Sequence, residues 1–543
     1  MKISINKTIV AAAALLSFGF TSCVKDLDVE NINPQQTSTV SEDDLINKIY
    51  ASFSLTGTEG PAGHGDIADV DEGRSDYFRT KFYLNEFTSD EAHWVWFTDT
   101  GIEELLHNSW GANCVFSAAM YARLYFTITL CNEYLSQSYS AADQKQRNAE
   151  VRFIRALNYL EVLDLYGGGA WTETVDHEGS GMKPEFYDAE KMFNYVEQQL
   201  KLAEADLADP KSVSYGRIDK MAAWILLGRL YLNAEVYTGK ARWDDALSYA
   251  KKAYENENYK LNTTGAKNPK TGEEYSAYQM LFLADNDRNG AQMENVIVGL
   301  FDGIKTKSYG GTNFLIQASY SNKDNDMNGN IPSGLNNNWG KCLRLRNSLV
   351  NKFFTTTAAP NAATIKEMTS AAGDDRALFY GKGLNNGIEE ETTEEKWGFN
   401  CVKFRNVNSD GSSNDVIDFC NTDLPVMRYA EAYLTLAEAY ARKGDLGAAK
   451  PYIDAIRDRA HATKKASYDL DDICDEWARE FWWEGRRRTD LRRFGKYENQ
   501  SKYTWEWKGG VLEGNLIYKY RGIFPFPVNE CSNNKNIKQN DGY

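Results

Sequence analysis

The chain has 543 residues, of which 42% are hydrophobic, so it can bury a large core. Its formal net charge is −16, and such an acidic surface argues against nucleic acid and anionic lipid as principal partners. The cysteines form no C-x-x-C pair, and those after Cys23 are odd in number. We therefore expect small buried thiols and neither a disulfide framework nor a zinc site.

The N-terminus has the form of a secretory signal. Lys2 and Lys7 stand beside "IVAAAALLSFGF", an apolar run over residues 9–20. A transmembrane helix needs about 20 residues, so this run is too short to be one. "FTSC" follows, and a cysteine after small residues is typical of a bacterial lipoprotein. We expect residues 1–22 to be a signal peptide and Cys23 to carry lipid; a secreted protein cleaved elsewhere is the alternative.

The rest of the chain is predicted to be mainly α-helical. Residues 23–41 are polar and without periodicity, and are interpreted as a flexible tether. Residues 42–543 are interpreted as one domain. Apolar residues recur every three or four positions in "YARLYFTITLCNEYLSQ" and in "RNAEVRFIRALNYLEVLDLYG". The second pattern stops at Gly167 and Gly168, which are typical of a helix end.

Two segments carry the pattern of a tetratricopeptide repeat. Trp224, Leu227, Gly228 and Tyr231 in "WILLGRLYLNA" match W-x2-L-G-x2-Y, and "DDALSYAKKAY" supplies the partner helix. "YLTLAEAYARKGDLGAAKPYIDAI" gives a second copy, and "RFIRALNYLEVLDLYG" with "AEKMFNYVEQQL" gives a looser third. Because these pairs are far apart in sequence, we predict an all-α fold whose tetratricopeptide-like helical pairs form a scaffold with long insertions.

Two loop-rich insertions, at about residues 60–100 and 258–425, are rich in glycine, asparagine, aspartate and aromatic residues. Loops this long in a compact domain usually carry function. Trp94 and Trp96 flank Val95, and alternation along an extended segment would place both indoles on one face as a continuous aromatic surface. The negative faces of indoles suit the apolar C–H faces of pyranose rings. A sugar site is one interpretation, and two core tryptophans are the other.

The sequence contains no recognisable catalytic constellation. Its five histidines are scattered, and H-E-x-x-H, G-x-S-x-G and G-x-x-x-x-G-K-[ST] are absent. Among 77 Asp and Glu residues, any acid pair is uninformative about glycoside hydrolysis, since the separation in space decides. We predict that the protein is not an enzyme and requires no cofactor.

Long motifs run over nearly the whole chain: "DEGRSDYFRT", "DEAHWVW", "RFIRALNY", "GIKTKSYGG", "AAGDDRAL", and the C-terminal signature "EWAREFWWEGRRRTDLRRFG" followed by "WKGG" and "FPFPVNE". Together they resemble the SusD/RagB family of outer-membrane nutrient-binding lipoproteins of Bacteroidetes. The resemblance implies an α-helical, tetratricopeptide-like scaffold with the ligand site in the inserted loops. It also implies a partner, a SusC-like TonB-dependent transporter, over whose mouth the lipoprotein lies as a lid.

The resemblance implies a set of glycan-binding residues as well. The aromatic arc of the family's starch-binding members falls on Trp94, Trp96, Tyr309 and Trp339, and polar contacts fall on Arg79 and Asp99. Asp99 stands where the starch binder has an asparagine. An ionised aspartate only accepts hydrogen bonds, whereas an amide also donates. This change alters the polar recognition and leaves the stacking surface intact.

A structural calcium ion is also implied by the resemblance. Its ligands fall on Asp287 in "ADND" and on Asn421 and Asp423 in "CNTDLP". Calcium takes about six to eight oxygen ligands, which is more than these three residues supply. A solvated turn is the alternative.

The C-terminal signature is interpreted as a structural helix that locks the repeat pairs. Glu480 and Glu484 are expected to pair with arginines three or four residues away on that helix, in partly buried ion pairs.

These expectations predict a non-catalytic, lipid-anchored protein of the outer-membrane surface. It would bind starch and malto-oligosaccharides and deliver them to the transporter, with the lipid as its only membrane attachment and no role in nucleic-acid binding. The alternatives are a related binder of another glycan such as a β-linked one, a protein-docking scaffold without glycan affinity, and a glycoside hydrolase.

Overall fold

The structure is a computed structural model that describes residues 40–174, 181–393, 396–498 and 501–543. The chain divides into two units, residues 1–45 and residues 46–543. The predicted signal peptide, Cys23 and nearly all of the predicted tether lie outside the described residues. Within the described ranges, no helix combines the length and the apolarity that a membrane crossing requires.

The fold is built mainly of helices. The α-helices are α1 (Glu42–Ala51), α2 (Tyr77–Phe82), α3 (Ile102–Leu106), α4 (Val115–Ser136), α5 (Gln144–Tyr166), α6 (Ala189–Asp206), α7 (Lys220–Leu232), α8 (Ala234–Thr238), α9 (Trp243–Tyr254), α10 (Gly311–Ser319), α11 (Asn325–Asn330), α12 (Asn347–Val350), α13 (Ile365–Ala372), α14 (Ala430–Arg442), α15 (Leu446–Arg459), α16 (Leu470–Phe481), α17 (Arg487–Arg493) and α18 (Val528–Asn533). A π-helical turn, Tyr83–Phe87, continues α2. The predicted all-α class is confirmed.

The strands are short and pair in twos. They are β1 (Ala92–Trp94), β2 (Gly168–Trp171), β3 (Glu185–Asp188), β4 (Ala266–Lys267), β5 (Glu274–Tyr275), β6 (Asn295–Gly299), β7 (Leu343–Leu345), β8 (Phe379–Tyr380), β9 (Asn400–Cys401) and β10 (Leu424–Arg428). The antiparallel pairs are β1 with β7, β2 with β3, β4 with β5, β6 with β10 and β8 with β9. The pairing of β1 with β7 joins the two predicted insertions, because Trp94 lies opposite Leu343.

The predicted helical pairs pack together. Helix α7 packs on α9, α14 on α15, and α5 on α6, while α9 also packs on α14. Leu227 and Leu230 of α7 are fully buried, and each such leucine stabilises the fold by about 1.5–3 kcal/mol. Gly228 lies where three helices meet: a Cβ built there would be 3.6 Å from Cγ2 of Thr435 and 3.9 Å from the backbone nitrogen of Ala250. An alanine would therefore fit at this junction, whereas a large side chain would not.

The C-terminal signature forms two helices instead of one. Helix α16 ends at Phe481, so Glu484 lies beyond it. The expectation of pairs three or four residues apart is wrong for both glutamates. Glu484 pairs with Lys403 and Arg428, and Glu480 with Arg428, each at 2.8 Å. These partners come from distant segments, so the buried charges fasten the signature to the rest of the domain.

Trp483 connects this signature to the loops of the first insertion. Its backbone N–H donates to Glu91 at 3.0 Å, and its ring lies edge-on to Phe82 at a centroid distance of 5.6 Å. Phe82 in turn contacts the ring of Phe314 on α10, with centroids 5.4 Å apart. Helix α2, which carries Arg79, is therefore packed through Phe82 against Trp483 of the C-terminal signature.

The cysteines of the described residues are free thiols, and most are buried as predicted. Six of the seven are buried, and Cys531 is half-buried. They fill space in the core and form no disulfide with one another.

Candidate functional site

The first insertion is joined to helix α10 by one buried carboxylate. Asp76 caps α2 by accepting from the backbone N–H of Arg79 at 2.7 Å, and the same oxygen accepts from the N–H of Gly311 at 2.9 Å. Asp76 is fully buried, and this burial raises its pKa to about 6. The carboxyl thereby fixes the starts of two helices against each other.

A glycine allows the two insertions to come into close contact. A Cβ built on Gly73 would lie 2.7 Å from the Cβ of Tyr309 and 2.9 Å from its carbonyl oxygen. Real Cβ atoms do not approach so closely, so the position requires glycine for steric reasons. Next to it, the carboxylate of Glu72 accepts from the backbone N–H of Tyr309 at 3.1 Å. This contact places the Tyr309 ring at the surface.

Arg79 supports the aromatic residues around it. It is 6% exposed, and its guanidinium donates to the Tyr309 carbonyl and to the Tyr83 hydroxyl, each at 2.9 Å. The guanidinium also lies 5.1 Å from the ring centre of Trp339 and 4.8 Å from that of Phe314, within the range of cation–π attraction. Most of its hydrogen-bonding capacity is therefore used inside the protein, and direct contact between Arg79 and a glycan stays a prediction.

Trp94 and Trp96 have different environments. Trp94 is 2% exposed and packs against Tyr83, Phe87 and Phe314, whereas Trp96 is 40% exposed. The expectation of one continuous solvent-facing surface from both indoles is wrong. Strand β1 ends at Trp94, and Trp96 starts a turn closed by the Asp99 N–H at 3.0 Å. The period-two alternation of a strand therefore does not extend to Trp96.

Four partly exposed rings form a surface that we call the aromatic shelf: Trp96, Trp339, Tyr309 and Phe419. Tyr309 is 37% exposed, and its ring centroid lies 6.0 Å from that of Trp339 and 5.5 Å from that of Phe419. Trp96 is linked to the other rings only through two buried ones: its centroid lies 5.6 Å from that of Trp94, and Phe314 lies 6.2 Å from both Trp94 and Trp339. Phe419 was missed from sequence because a single aromatic residue in a loop produces no periodic pattern.

A polar rim borders the Trp96 end of the shelf. One carboxylate oxygen of Asp99 accepts from Arg74 at 3.1 Å and from the Trp94 indole N–H at 3.4 Å. Arg74 also pairs with Asp71 at 3.0 Å. Asp99 was predicted from sequence, whereas Arg74 and Asp71 were missed although both lie in the motif "DEGRSDYFRT". Carboxylates beside aromatic rings can accept hydrogen bonds from sugar hydroxyls.

Of the three residues of the predicted calcium site, Asn421 donates through its side-chain amide to the Asp302 carbonyl at 3.3 Å. Asp287 is exposed and pairs with Arg288 at 2.8 Å. Asp423 is buried and accepts from the backbone N–H of Phe301 at 2.7 Å, and burial raises its pKa to about 7. Across the described ranges, no three His, Cys, Asp or Glu groups converge as metal ligands do. The predicted set contains only two carboxylates, and calcium binding stays a prediction.

The predicted glycan-binding residues lie together nevertheless. Trp94, Trp96 and Asp99 come from one segment, while Arg79, Tyr309 and Trp339 come from three others that meet it through the contacts above. Trp339 is held in place by a backbone hydrogen bond, in which its N–H donates to the Gln317 carbonyl at 2.6 Å. A row of rings with acidic groups at one end can stack sugar rings and bind their hydroxyls.

Comparisons with known proteins identify the family of the chain. A family profile described as the SusD family matches residues 243–543. The chain is 36% identical to the starch-binding protein SusD of Bacteroides thetaiotaomicron over 579 aligned positions, which cover all of both chains.

Two solved structures share the fold. A SusD-like carbohydrate-binding protein from Bacteroides fragilis matches with a TM-score of 0.69 at 17% identity, over 92% of this chain and 99% of that one. Surface glycan-binding protein A from Bacteroides thetaiotaomicron, solved in complex with laminarihexaose, matches with a TM-score of 0.65 at 17% identity, over 92% and 98%. The predicted family and non-catalytic character are confirmed by the profile and the full-length relative. The chain therefore belongs to the SusD family of non-catalytic glycan-binding proteins.

Proposed function

We propose that the protein captures starch and malto-oligosaccharides on the aromatic shelf. The observation that carries this proposal is the contact between the solvent-accessible rings of Tyr309 and Trp339, together with the exposed ring of Trp96, which packs on the buried Trp94. The relative that is 36% identical over its full length is named a starch-binding protein, and this name supports an α-glucan as the ligand.

The proposed mode of binding is stacking. Each pyranose ring presents an apolar C–H face to an indole or phenol ring, and such contacts contribute about 0.5–1.5 kcal/mol each beyond the area they bury. A few contacts of this size give modest affinity. Selectivity then depends on the match between the arrangement of the rings and the curvature of the glucan chain. The Asp99 and Asp71 carboxylates at the rim accept hydrogen bonds from sugar hydroxyls.

The proposed setting is the outer surface of the outer membrane. Lipid on Cys23 would anchor the protein, and bound glucan would pass to a SusC-like TonB-dependent transporter covered by it. The signal-like N-terminus and the family support this placement. A single lipid chain binds membranes only marginally, so an anchor of this kind requires more than one chain.

Starch-affinity gels and titration calorimetry with maltoheptaose test the proposal. We expect the wild-type chain to be retarded by starch and Trp96→Ala to lose most of its glucan affinity. Tyr518→Ala is a matched control, since it removes a 73% exposed aromatic residue that lies outside the shelf. Full retention of affinity by a folded Trp96→Ala chain would refute the proposal.

The same gels distinguish the alternatives. Retardation by a β-linked glucan and not by starch would show another glycan ligand. A chain that no polysaccharide retards would be a docking scaffold. New reducing ends during incubation with amylose would show hydrolysis.

A further inference from the structure

A second concave surface lies beside the aromatic shelf. It has a volume of about 670 Å³ and is lined by segments 322–338 and 406–417 together with Asn268. Eight of its lining residues are asparagines and three are serines, and none of these described lining residues is charged. We call it the amide cleft. A neutral lining is notable because a quarter of all residues in this chain are charged.

The amides of the cleft are held in place by one another. Asn322 donates to the Asn336 carbonyl at 2.7 Å and accepts from the Asn338 amide at 2.6 Å. On the opposite wall, Asn408 donates to the side chain of Asn414 at 2.9 Å. An amide carries two N–H donors, and Asn322 and Asn414 each use one of them, whereas Asn408 uses both, with Ser412 and Asn414. The cleft thus presents preorganised groups that both donate and accept.

The cleft and the shelf share the same two chain segments. Asn338 lines the cleft and the next residue, Trp339, belongs to the shelf. Ile417 lines the cleft, and Phe419 of the shelf follows two positions later. Consecutive Cα atoms are about 3.8 Å apart, so the two surfaces lie within about one or two sugar units of each other.

Hydrogen bonds hold the two segments in register. The Asn336 N–H donates to the Ile417 carbonyl at 2.8 Å, and its side chain donates to the Asp418 carboxylate at 3.0 Å. The wall between cleft and shelf is therefore held together by hydrogen bonds from both the backbone and the side chain of Asn336.

We propose that the amide cleft is a second subsite that binds the same neutral, polyhydroxylated chain beyond the aromatic shelf. This inference rests on the proposed function and extends it to longer glycans. Sugar hydroxyls both donate and accept, as side-chain amides do, and an uncharged ligand needs no compensating ion. Small-molecule sites have volumes of about 300–1,000 Å³, so the cleft has room for such a ligand. The shelf provides stacking, and the cleft provides hydrogen bonds that only long chains reach.

A double variant tests the cleft without disturbing its framework. Ser413→Glu and Ile417→Glu place two charged, bulky side chains in the cleft at exposed positions. Ser140→Glu with Leu202→Glu is the matched control, because it adds the same charge at exposed positions outside both surfaces. Calorimetry compares maltotriose, which is short enough to occupy the shelf alone, with maltodecaose.

We expect the cleft variant to bind maltodecaose at least fivefold more weakly and maltotriose within twofold of wild type. Unchanged maltotriose binding also shows that the variant is folded. Wild-type affinity for both ligands, or an equal loss for both, would overturn the second subsite. A wild-type chain that binds neither glucan refutes the proposed function instead. In that case the cleft variant and wild type are compared on short and long oligomers of whichever glycan the affinity gels retain. A cleft variant that binds the long oligomer as tightly as wild type again overturns the inference.

Discussion

Trp94 and Trp96 lie edge to face, with ring centroids 5.6 Å apart and an interplanar angle of 86°, yet one is 2% and the other 40% exposed. The first indole therefore supports the second. We expect Trp94→Ala to lower the free energy of unfolding by about 3–5 kcal/mol, because it leaves a large buried cavity. Trp96→Ala should lower it by less than about 1 kcal/mol, since surface substitutions have small effects.

Thermal unfolding of both variants measures this difference, with Tyr518→Ala as the control for loss of an exposed ring. Equal destabilisation by Trp94→Ala and Trp96→Ala would contradict the separate roles.

Asp99 keeps one carboxylate oxygen engaged with Arg74 and Trp94. We expect Asp99→Ala to weaken maltoheptaose binding about threefold to tenfold, because it removes an acceptor at the rim. Asp99→Asn keeps one oxygen acceptor and should stay within about threefold of wild type. The ion pair with Arg74 is partly exposed, so its loss should cost at most about 1 kcal/mol of stability. Titration calorimetry measures the maltoheptaose affinity of both variants. An Asp99→Ala chain that binds more tightly than wild type would exclude a role for this carboxylate in binding.

Gly73 allows the close contact with Tyr309. We expect Gly73→Ala to destabilise the protein by about 1–3 kcal/mol and to weaken glucan binding about tenfold, because the Tyr309 ring is displaced. Gly111→Ala is the matched control, since a Cβ at Gly111 would have no neighbour within 4 Å. Affinity gels and thermal unfolding report both effects. If Gly73→Ala behaves like Gly111→Ala, the tight junction is not needed for binding.

Asp76 makes stability depend on pH. Burial raises its pKa from 3.8 to about 6, so the folded state binds this proton more tightly than the unfolded state does. The stabilisation is complete below about pH 4 and is lost as the pH rises through about 6. At about 1.4 kcal/mol per pKa unit, the loss is about 3 kcal/mol.

Asp76→Asn cannot ionise and lacks this dependence. We expect the free energy of unfolding of wild type, relative to that of the variant, to fall by up to about 3 kcal/mol between pH 4 and pH 8. Urea unfolding of both chains across this range is the measurement. A constant difference would show that Asp76 does not titrate in this interval.

Glu480 belongs to the scaffold and lies among Arg376, Arg428 and Arg459. Burial by itself raises the pKa of Glu480, but the three guanidinium groups outweigh it and lower this pKa to about 2. Its stabilisation is therefore present above about pH 4.5 and is lost as the pH falls towards 2. Glu480→Gln should destabilise by about 3–5 kcal/mol, because it removes a buried carboxylate shared by three buried arginines.

The matched control is Glu257→Gln at an exposed position. Folded Glu480→Gln protein should still bind maltoheptaose within twofold of wild type, since the Glu480 pairs do not involve the shelf. Native gels and urea unfolding measure the two properties. A stable but non-binding variant would connect this network to the site.

The helices could be predicted from sequence because their signal is local. The apolar spacing of α7 and the glycine at the end of α5 act within a few residues, and the structure contains both features. The partners of Glu480 could not be predicted in this way, since spacing along a helix reveals only local pairs. In the structure those partners come from positions 376, 428 and 459.

Most residues of the candidate site could be named from the sequence, but their positions relative to one another were predicted less well. The resemblance named most of the rings, but the burial of Trp94 depends on Phe314 and on strand β7, which lie far along the chain. The pairing of Arg74 with Asp99 likewise depends on a fold that brings two turns together. Neither contact can be inferred from the local sequence pattern.

The hydrogen bond from Arg79 reaches a carbonyl 230 positions further along the chain, and the rings of the shelf come from segments equally dispersed. A short excised peptide would therefore carry none of the stacking surface. Only correctly folded, full-length protein would bind an amylose resin, so purification on that resin would remove misfolded and truncated chains.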